Sequence, residues 1–218
     1  IGAHSYYNVR VKASRPRSVR LPADALLALD AEAIFTHYNE LKEGSYLIYD
    51  VDSLQTRIEK IAPMEPEVKE RVIADLKSKG VEPIASELVK YLSKNGIKAI
   101  GLPLKDLLKQ TADTMTITAL ATVLGIDLNA VEKSINLYFA GRKSIIDSNV
   151  EAARVTYEYV RSNFGISKEL PDGPHRSKVR MIATGNDIVA MAKIVGGVGL
   201  ETYYPITPSQ EEAFYMES

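Results

Sequence analysis

Apolar runs and segments of helical spacing alternate along the first part of the chain. Residues 5–12 are rich in aromatic and β-branched side chains that alternate with charged positions, which predicts a strand with one solvent-facing side. The apolar run 25–29 is followed by apolar residues at helical spacing over 31–38, and the run 46–49 is typical of a buried strand. Because strand, helix and strand follow one another, we expect a parallel sheet of the α/β class.

The next part of the chain shows more helical periodicity. Amphipathic patterns over 67–79 and 84–95 predict two helices that end at Gly80 and Gly96. One more short strand is predicted at 97–102, and three further helices at 114–124, 128–139 and 149–163. Together these patterns predict a three-layer α/β domain with a parallel sheet over residues 1–170.

A stretch rich in proline and glycine, residues 171–178, separates this domain from a second one. Two prolines and a glycine among polar residues are typical of a linker. The pattern then restarts with a strand, a helix, a short strand and a second helix, predicted at 179–184, 186–195, 202–204 and from 208 onward. Residues 179–218 are thus predicted to form the first βαβ unit of a further domain.

Composition narrows the classes of protein that this chain can represent. The sequence has no cysteine, so it offers no disulfide, no thiol nucleophile and no thiolate ligand for zinc or an iron–sulfur cluster. Its 27 basic and 28 acidic residues give a net charge of −1, which favours neither nucleic acid nor a membrane surface as a partner. The apolar runs fall short of the ~18–20 residues of a transmembrane helix. No secretory signal is evident, and we expect a cytoplasmic protein.

Both ends of the sequence indicate a fragment. Residue 1 is isoleucine and not methionine, and residues 211–218 have the pattern of a helix that has not yet ended. We therefore expect the first domain to lack its N-terminal part and the second domain to be truncated after its first elements.

Candidate metal ligands are few. The histidines are His4, His37 and His175, and their spacing fits neither an H-x-H nor an H-x-x-x-H motif, so no metal site is predicted from them. Asp50 and Asp52 follow a predicted strand, and carboxylates at a strand end either bind a cation or begin a loop. The residues alone leave both interpretations open.

Glycine-rich phosphate loops are not predicted. Gly185 stands alone at a predicted strand–helix turn, where a dinucleotide fingerprint requires three glycines. The glycines within 196–199 follow a predicted helix, and this position is typical of a helix cap and turn. Residues 141–144 lack the upstream glycine of a P-loop.

The segment 203–210 is the densest candidate for chemistry. Thr207 is predicted to be the N-cap of the last helix, with Pro208 at its first position and Gln210 at its third, which is the pattern of a capping box. A helix start presents free N–H groups and a positive dipole end that favour a carboxylate. A well-formed helix start is the simpler interpretation, and an anion site is the functional one.

The same segment carries a family resemblance. Tyr204, Pro205, Ile206, Thr207 and Pro208 form a sequence that resembles the Y-P-I-T-P motif of the 2-oxoacid:ferredoxin oxidoreductases. The preceding residues 184–199 resemble the G-N-x-A-x-A-x-G-A-x-x-A-G run of their α subunits, with departures at Asp187, Ile188 and Lys193.

The remainder of the chain extends this resemblance. The first 165 residues are similar to the γ domain that archaeal enzymes fuse in front of α, and residues 2–11 resemble its G-x-H-S-Y-F-N-x-R-I stretch. The resemblance implies a three-layer γ-like domain followed by the start of a pyrimidine-binding-type domain of thiamine enzymes. The glycine-rich opening of the γ domain is missing, as are the later α segments that carry an Arg for the substrate and a Glu for thiamine.

The resemblance also implies an activity and a set of partners. The family reaction is coenzyme A-dependent oxidative decarboxylation of 2-oxoacids, with electrons passed singly through an iron–sulfur cluster to ferredoxin. Thr207 would hydrogen-bond the carboxylate or keto oxygen of the substrate and Ile206 would contact it, while Tyr204 and Pro205 would lie beside the thiamine ring. Thiamine diphosphate, Mg²⁺ and the 4Fe–4S cluster would be held mainly by a partner β subunit.

Two other interpretations remain open. The chain could be a non-catalytic scaffold that docks a thiamine-dependent partner and binds nothing itself. It could also be an α/β transferase unrelated to ferredoxin that contains the Y-P-I-T-P sequence by chance. A purified transferase would lack a brown, cysteine-rich partner.

Overall fold

The structure is a computed structural model that describes residues 5–11, 18, 21–107, 111–165, 170, 183–204, 206–207 and 210–217. The chain divides into two compact units, Ile1–Asp172 and Gly173–Ser218, and the division falls inside the predicted linker 171–178. The linker itself and most of the strand predicted at 179–184 lie outside the described residues.

A parallel three-stranded sheet forms the centre of the first unit. Its strands are β1 (Ala23–Ala28), β2 (Leu41–Asp50) and β3 (Lys98–Leu102), in the order β1-β2-β3. Leu47 on the middle strand pairs with Leu26 on one side and Ala99 on the other. This arrangement confirms the predicted α/β class and its parallel sheet.

Strand β2 is buried on both faces because helices cover the sheet from both sides. Leu47 and Tyr49 pack into one apolar cluster, and Tyr46 and Ile48 pack into a second. A continuous apolar run is the pattern expected of such a strand, since neighbouring side chains point to opposite faces. The sheet and the helices on its two faces form the predicted three layers, with one apolar cluster between each pair of layers.

Seven helices of the first unit surround this sheet in the described residues. They are α1 (Ala31–His37), α2 (Pro66–Ser78), α3 (Ala85–Lys94), α4 (Leu104–Leu107), α5 (Ala112–Val123), α6 (Leu128–Tyr138) and α7 (Lys143–Phe164). The first cluster is formed with α1, α2 and α3, and the second with α5 and α7. Asp30 begins α1 by accepting the N–H of Ala33 at 2.8 Å, as a helix cap does.

The second unit contains two helices in its described residues, α8 (Gly185–Val195) and α9 (Gln210–Glu217). They pack against each other, and Ala190 and Ala213 are the fully buried side chains of the described part of this unit. Two small side chains allow the helices a close approach. The helix predicted at 186–195 is confirmed.

Two predicted strands are wrong in the part of the chain that is described. Residues 5–11 form no regular element and pair with none of the strands in the described ranges, and Val9 and Val11 are exposed. Tyr6 contacts the His37 ring edge-on instead, with centroids 4.9 Å apart. Residues 202–204 form no strand either. Most of the strand predicted at 179–184 lies outside the described residues, so the βαβ unit predicted for 179–218 stays a prediction.

A polar cluster joins the first helix to the second. The phenol of Tyr38 and the ammonium of Lys79 both donate to the Asp75 carboxylate, and the ammonium also donates to Asn39 at 3.3 Å. The hydrogen bonds from Lys79 and from Tyr38 hold the pKa of Asp75 below its usual range. Burial, followed by the bond to Asp75, raises the pKa of Tyr38.

Asp75→Asn is expected to lower the free energy of unfolding by about 1 kcal/mol near pH 7, the contribution of a partly exposed charged hydrogen bond. A depressed carboxyl pKa stabilises the folded state above the unfolded pKa of about 3.9 and ceases to do so as the pH falls below it. The difference between variant and parent should therefore shrink on acidification in urea titrations at several pH values. A difference that grows at acid pH would contradict this assignment.

Candidate functional site

The start of α8 is a complete capping box. The Thr184 hydroxyl accepts the N–H of Asp187 at 3.2 Å, and the Asp187 carboxylate accepts the N–H of Thr184 at 2.7 Å. The T-x-x-D spacing was the signal available in the sequence, and our prediction missed it by considering only the glycine of this turn. Asn186 then donates to Glu211 of α9 at 3.2 Å, so the start of α8 is also joined to the second helix.

Thr184→Ala is expected to reduce the opening free energy of the α8 amides by about 1 kcal/mol, which is roughly fivefold faster exchange. The cause is the loss of the acceptor for the Asp187 N–H. Hydrogen exchange of α8 followed by mass spectrometry measures this change. Thr202→Ala, at an exposed threonine outside the helices, is the matched control and should leave the exchange unaltered.

A glycine turn follows α8. Gly197 adopts a φ of +78°, a conformation that glycine reaches without strain, and the N–H of Val198 donates to the Lys193 carbonyl at 3.1 Å. These are the bonds of a glycine-terminated helix. The glycines of 196–199 are therefore a cap and turn, as the sequence indicated.

A lysine of α8 joins the residues on either side of the candidate motif. The Lys193 ammonium lies 2.5 Å from Oε1 of Glu201 and also contacts Oε1 of Glu212 on α9. The hydrogen bonds to Glu201 and Glu212 raise the pKa of Lys193. The three side chains are partly buried, with 20% of Glu201, 17% of Glu212 and 32% of Lys193 exposed.

The predicted site residues that are described lie together on one exposed segment. Tyr204 is 78% exposed and Ile206 58% exposed, and the N–H of Ile206 donates to the Tyr204 carbonyl at 2.8 Å in a tight turn. Thr207 is exposed as well. Pro205, Pro208 and Ser209 lie outside the described residues.

The capping box predicted at Thr207 is wrong in its hydrogen bonds. The N–H of Gln210 donates to the Ile206 carbonyl at 3.2 Å, and the side-chain amide of Gln210 donates to Oγ1 of Thr207 at 3.2 Å. The predicted box requires the Thr207 hydroxyl to accept the N–H of Gln210, but the backbone carbonyl one residue earlier takes that bond. Helix α9 accordingly begins at Gln210.

This geometry gives the Thr207 hydroxyl a defined chemical capacity. A hydroxyl has one hydrogen to donate and two lone pairs to accept with. Because the Gln210 amide engages a lone pair, the Thr207 hydrogen can point to another acceptor. The segment therefore presents a hydroxyl donor beside the exposed apolar side chains of Tyr204 and Ile206, an arrangement suited to a small anion with an apolar neighbour.

Tyr203 anchors the start of this segment to α9. Its ring meets that of Phe214 edge-on at 6.4 Å, and its hydroxyl donates to Glu217 at 3.3 Å. Desolvation, followed by the Glu217 charge, raises the pKa of Tyr203, so this tyrosine stays a neutral donor. The segment is thus tied to the helix that follows it by a side chain just before the motif.

The other candidate residues of the sequence have structural contacts. Asp50 accepts the N–H of Asp52 at 3.2 Å, and Asp52 forms an ion pair with Lys105 at 2.7 Å, which fits the loop-starting interpretation. His37 is buried and lies 2.8 Å from Glu40. His4 and His175 are outside the described residues.

Two further findings concern the described part of the chain only. No group of three or more His, Cys, Asp or Glu side chains there has the geometry to hold a metal ion. Among the helices of the described ranges, none combines the length and the hydropathy needed to cross a bilayer.

The fold and the site define an α/β protein whose second unit presents a hydroxyl-bearing turn at a helix start. Comparison with known proteins identifies the family within this class. The chain belongs to the pyruvate ferredoxin/flavodoxin oxidoreductase family, whose model matches residues 1–159.

Curated relatives match along the entire chain. It is 44% identical to 2-oxoacid:ferredoxin oxidoreductase 2, subunit alpha, of Aeropyrum pernix, over 100% of this chain and 36% of that protein. It is 32% identical to the 2-oxoacid:ferredoxin oxidoreductase subunit alpha of Saccharolobus solfataricus, over 100% of this chain and 35% of the relative. The chain thus spans about a third of the length of these relatives.

A solved structure shares the fold. The 2-oxoglutarate:ferredoxin oxidoreductase of Magnetococcus marinus, solved with 2-oxoglutarate, coenzyme A and succinyl-CoA bound, superposes with a TM-score of 0.58 at 22% identity. The match covers 88% of this chain and 29% of that one. At this identity the likeness supports the α/β fold alone.

Proposed function

We propose that this chain is part of the α subunit of a 2-oxoacid:ferredoxin oxidoreductase, the enzyme class that its curated relatives are named for. The reaction proposed is oxidative decarboxylation of a 2-oxoacid with transfer of the acyl group to coenzyme A and of electrons to ferredoxin. The observation that carries the proposal is the exposed Thr207 hydroxyl on the Y-P-I-T-P segment, in a chain that belongs to this family.

Thr207 is proposed to bind the 2-oxoacid. Its hydroxyl hydrogen is left for an external acceptor because the Gln210 amide donates to its oxygen. A carboxylate or keto oxygen of the substrate is such an acceptor, and a hydrogen bond to a charged group is stronger than one between neutral groups. A donor held in place before the reaction also stabilises negative charge that develops on the substrate.

Tyr204, Pro205 and Ile206 are proposed to form the apolar wall of the site. Tyr204 and Ile206 are largely exposed in this chain, so their surface is available to a substrate or to a neighbouring subunit. In the proposal Ile206 contacts the substrate, while Tyr204 and Pro205 lie against the thiamine ring. Apolar walls of this kind exclude water and strengthen the polar contacts beside them.

The cofactors are proposed to be held mainly by a partner β subunit. This sequence has no cysteine to bind an iron–sulfur cluster, and its described residues include no group of three or more candidate metal ligands. When bound, thiamine diphosphate with Mg²⁺ supplies an electron sink for decarboxylation, and a 4Fe–4S cluster supplies a one-electron path. The role of this chain is then to place the 2-oxoacid and to dock the partner.

The domain organisation follows from the same proposal. Residues 1–170 would be the γ-like domain, 171–178 the linker, and 179–218 the start of the pyrimidine-binding-type domain. We further propose a cytoplasmic complex in which ferredoxin, coenzyme A and the β subunit are the partners.

The absorbance of the assembled complex tests this proposal. The intact protein that contains this chain, co-expressed with its β subunit, is expected to be brown and to lose visible absorbance when a 2-oxoacid is added without ferredoxin. Pyruvate, 2-oxoglutarate and branched or aromatic 2-oxoacids form the test panel. A coloured complex that responds to none of them would favour the scaffold alternative, and a colourless protein without a partner would favour the transferase.

A further inference from the structure

We propose that Lys193 is a positioning residue that holds the segment 203–210, and with it Thr207, in place. This inference rests on the proposed function. Lys193 is one of the positions at which this chain departs from the glycine- and alanine-rich run that it resembles. The residue touches neither Thr207 nor Ile206 in the contacts described above. Its proposed role is exerted through two glutamates that bracket the segment.

The geometry places one ammonium between the two ends of the segment. Glu201 lies six residues before Thr207 and accepts from Lys193 at 2.5 Å. Glu212 lies five residues after Thr207 and contacts the same ammonium. The stretch between the two glutamates is therefore closed into a loop by a single lysine on α8.

The charges of Glu201 and Glu212 are both compensated by the Lys193 ammonium. Both carboxylates are partly buried, and Oε2 of Glu201 is buried without any hydrogen-bond partner. Without the ammonium, two like charges would face each other in a poorly solvated place, which costs more than losing an exposed pair. The segment would then move so that Glu201 or Glu212 reaches water.

Such a movement would change the position of Thr207, because Thr207 lies between Glu201 and Glu212 on the same stretch of chain. Tyr203 holds to α9 through Phe214 and Glu217, and Gln210 holds the Thr207 hydroxyl from the helix side. The Lys193 contacts and the Asn186–Glu211 bond are polar links between this part of the chain and α8. A displacement of about 1 Å at a substrate-positioning group costs up to ~100-fold in rate.

The test is a double-mutant cycle in the assembled oxidoreductase, with Lys193→Met, Thr207→Val and both together. Lys193→Met is expected to lower kcat/KM for the 2-oxoacid by roughly 10- to 100-fold and to leave the KM for ferredoxin unchanged. In the Thr207→Val background the same change should have a much smaller effect, because the group that Lys193 positions is already gone. Lys193→Arg keeps the charge and should restore most of the activity.

Controls separate this inference from the proposed function and from general destabilisation. Lys79→Met removes a comparably exposed, ion-paired lysine of the first unit and should leave kcat/KM unaltered. If Lys193→Met fails to assemble, Glu201→Gln takes its place in the cycle, since it keeps the lysine and the side-chain volume. Unchanged kinetics, or an equal loss in both backgrounds, overturns the role of Lys193. No change in kcat/KM for Thr207→Val alone overturns the proposed contact of Thr207 with the substrate, and a parent complex without any 2-oxoacid activity overturns the proposed function.

Discussion

Thr207→Val in the assembled enzyme is expected to lower kcat/KM for the 2-oxoacid by roughly 10- to 100-fold, or about 1–3 kcal/mol of transition-state stabilisation. Valine keeps the shape of threonine and removes the hydroxyl, so the substrate loses the donor while the Gln210 amide loses its acceptor. The rate of ferredoxin reduction at varied 2-oxoacid concentration measures the loss.

Thr202→Val is the matched control for this prediction. Thr202 is an exposed threonine five residues earlier in the same unit and outside the Y-P-I-T-P motif. Its replacement should leave kcat/KM for the 2-oxoacid at the parent value. Equal losses in the two variants would mean that Thr207 acts through the stability of the unit and not through the substrate.

Leu47→Ala and Ile48→Ala are each expected to lower the free energy of unfolding by about 2–5 kcal/mol. The two residues are neighbours on β2, both are fully buried, and they point into different apolar clusters. In a strand with one solvent-exposed face, alanine substitution of two neighbouring residues lowers the free energy of unfolding strongly at only one of them. Large decreases at both positions therefore indicate a sheet covered on both faces.

Urea denaturation of the 218-residue chain measures both values. Glu43→Ala, at an exposed position of the same strand, is the control and should change the free energy of unfolding by no more than about 0.5 kcal/mol. A small effect at either Leu47 or Ile48 would contradict the three-layer arrangement.

The central sheet was predictable because its strands carry strong local signals. The run 46–49 is apolar at four consecutive positions, which is the pattern of a strand buried on both faces, and β2 has that burial. Gly80 and Gly96 mark the ends of α2 and α3 with positive φ values, as the sequence indicated. These features depend on periodicity and on turn chemistry, both of which are local properties.

Other elements failed because their structure depends on a partner that the local pattern cannot reveal. Residues 5–11 alternate like a strand, yet a strand forms only where a neighbour accepts its backbone hydrogen bonds. Helix α7 starts at Lys143, six residues before the predicted start. Asn149 is buried inside this helix, and its amide donates to the Ile145 carbonyl one turn earlier.

The candidate site residues stay a prediction from the sequence motif. The motif 204–208 placed Thr207, Ile206, Tyr204 and Pro205 in one segment, and the three described members are exposed together. T-x-x-D at Thr184 and T-x-x-Q at Thr207 both fit the capping-box pattern, but of these two the structure forms the box only at Thr184. The contacts of Lys193 with Glu201 and Glu212 could not be predicted, because the spacing of these three residues matches no recognised sequence pattern.

The central claim is that this chain contributes the 2-oxoacid-binding turn of a ferredoxin-reducing enzyme. Its most direct test is the release of CO₂ from a carboxyl-labelled 2-oxoacid by the assembled complex, with ferredoxin or coenzyme A present or withheld. We expect CO₂ release in step with ferredoxin reduction and a sharp fall when either acceptor is withheld. An assembled complex that releases no CO₂ from any 2-oxoacid of the panel, or releases it without reducing ferredoxin, would rule out the proposed activity.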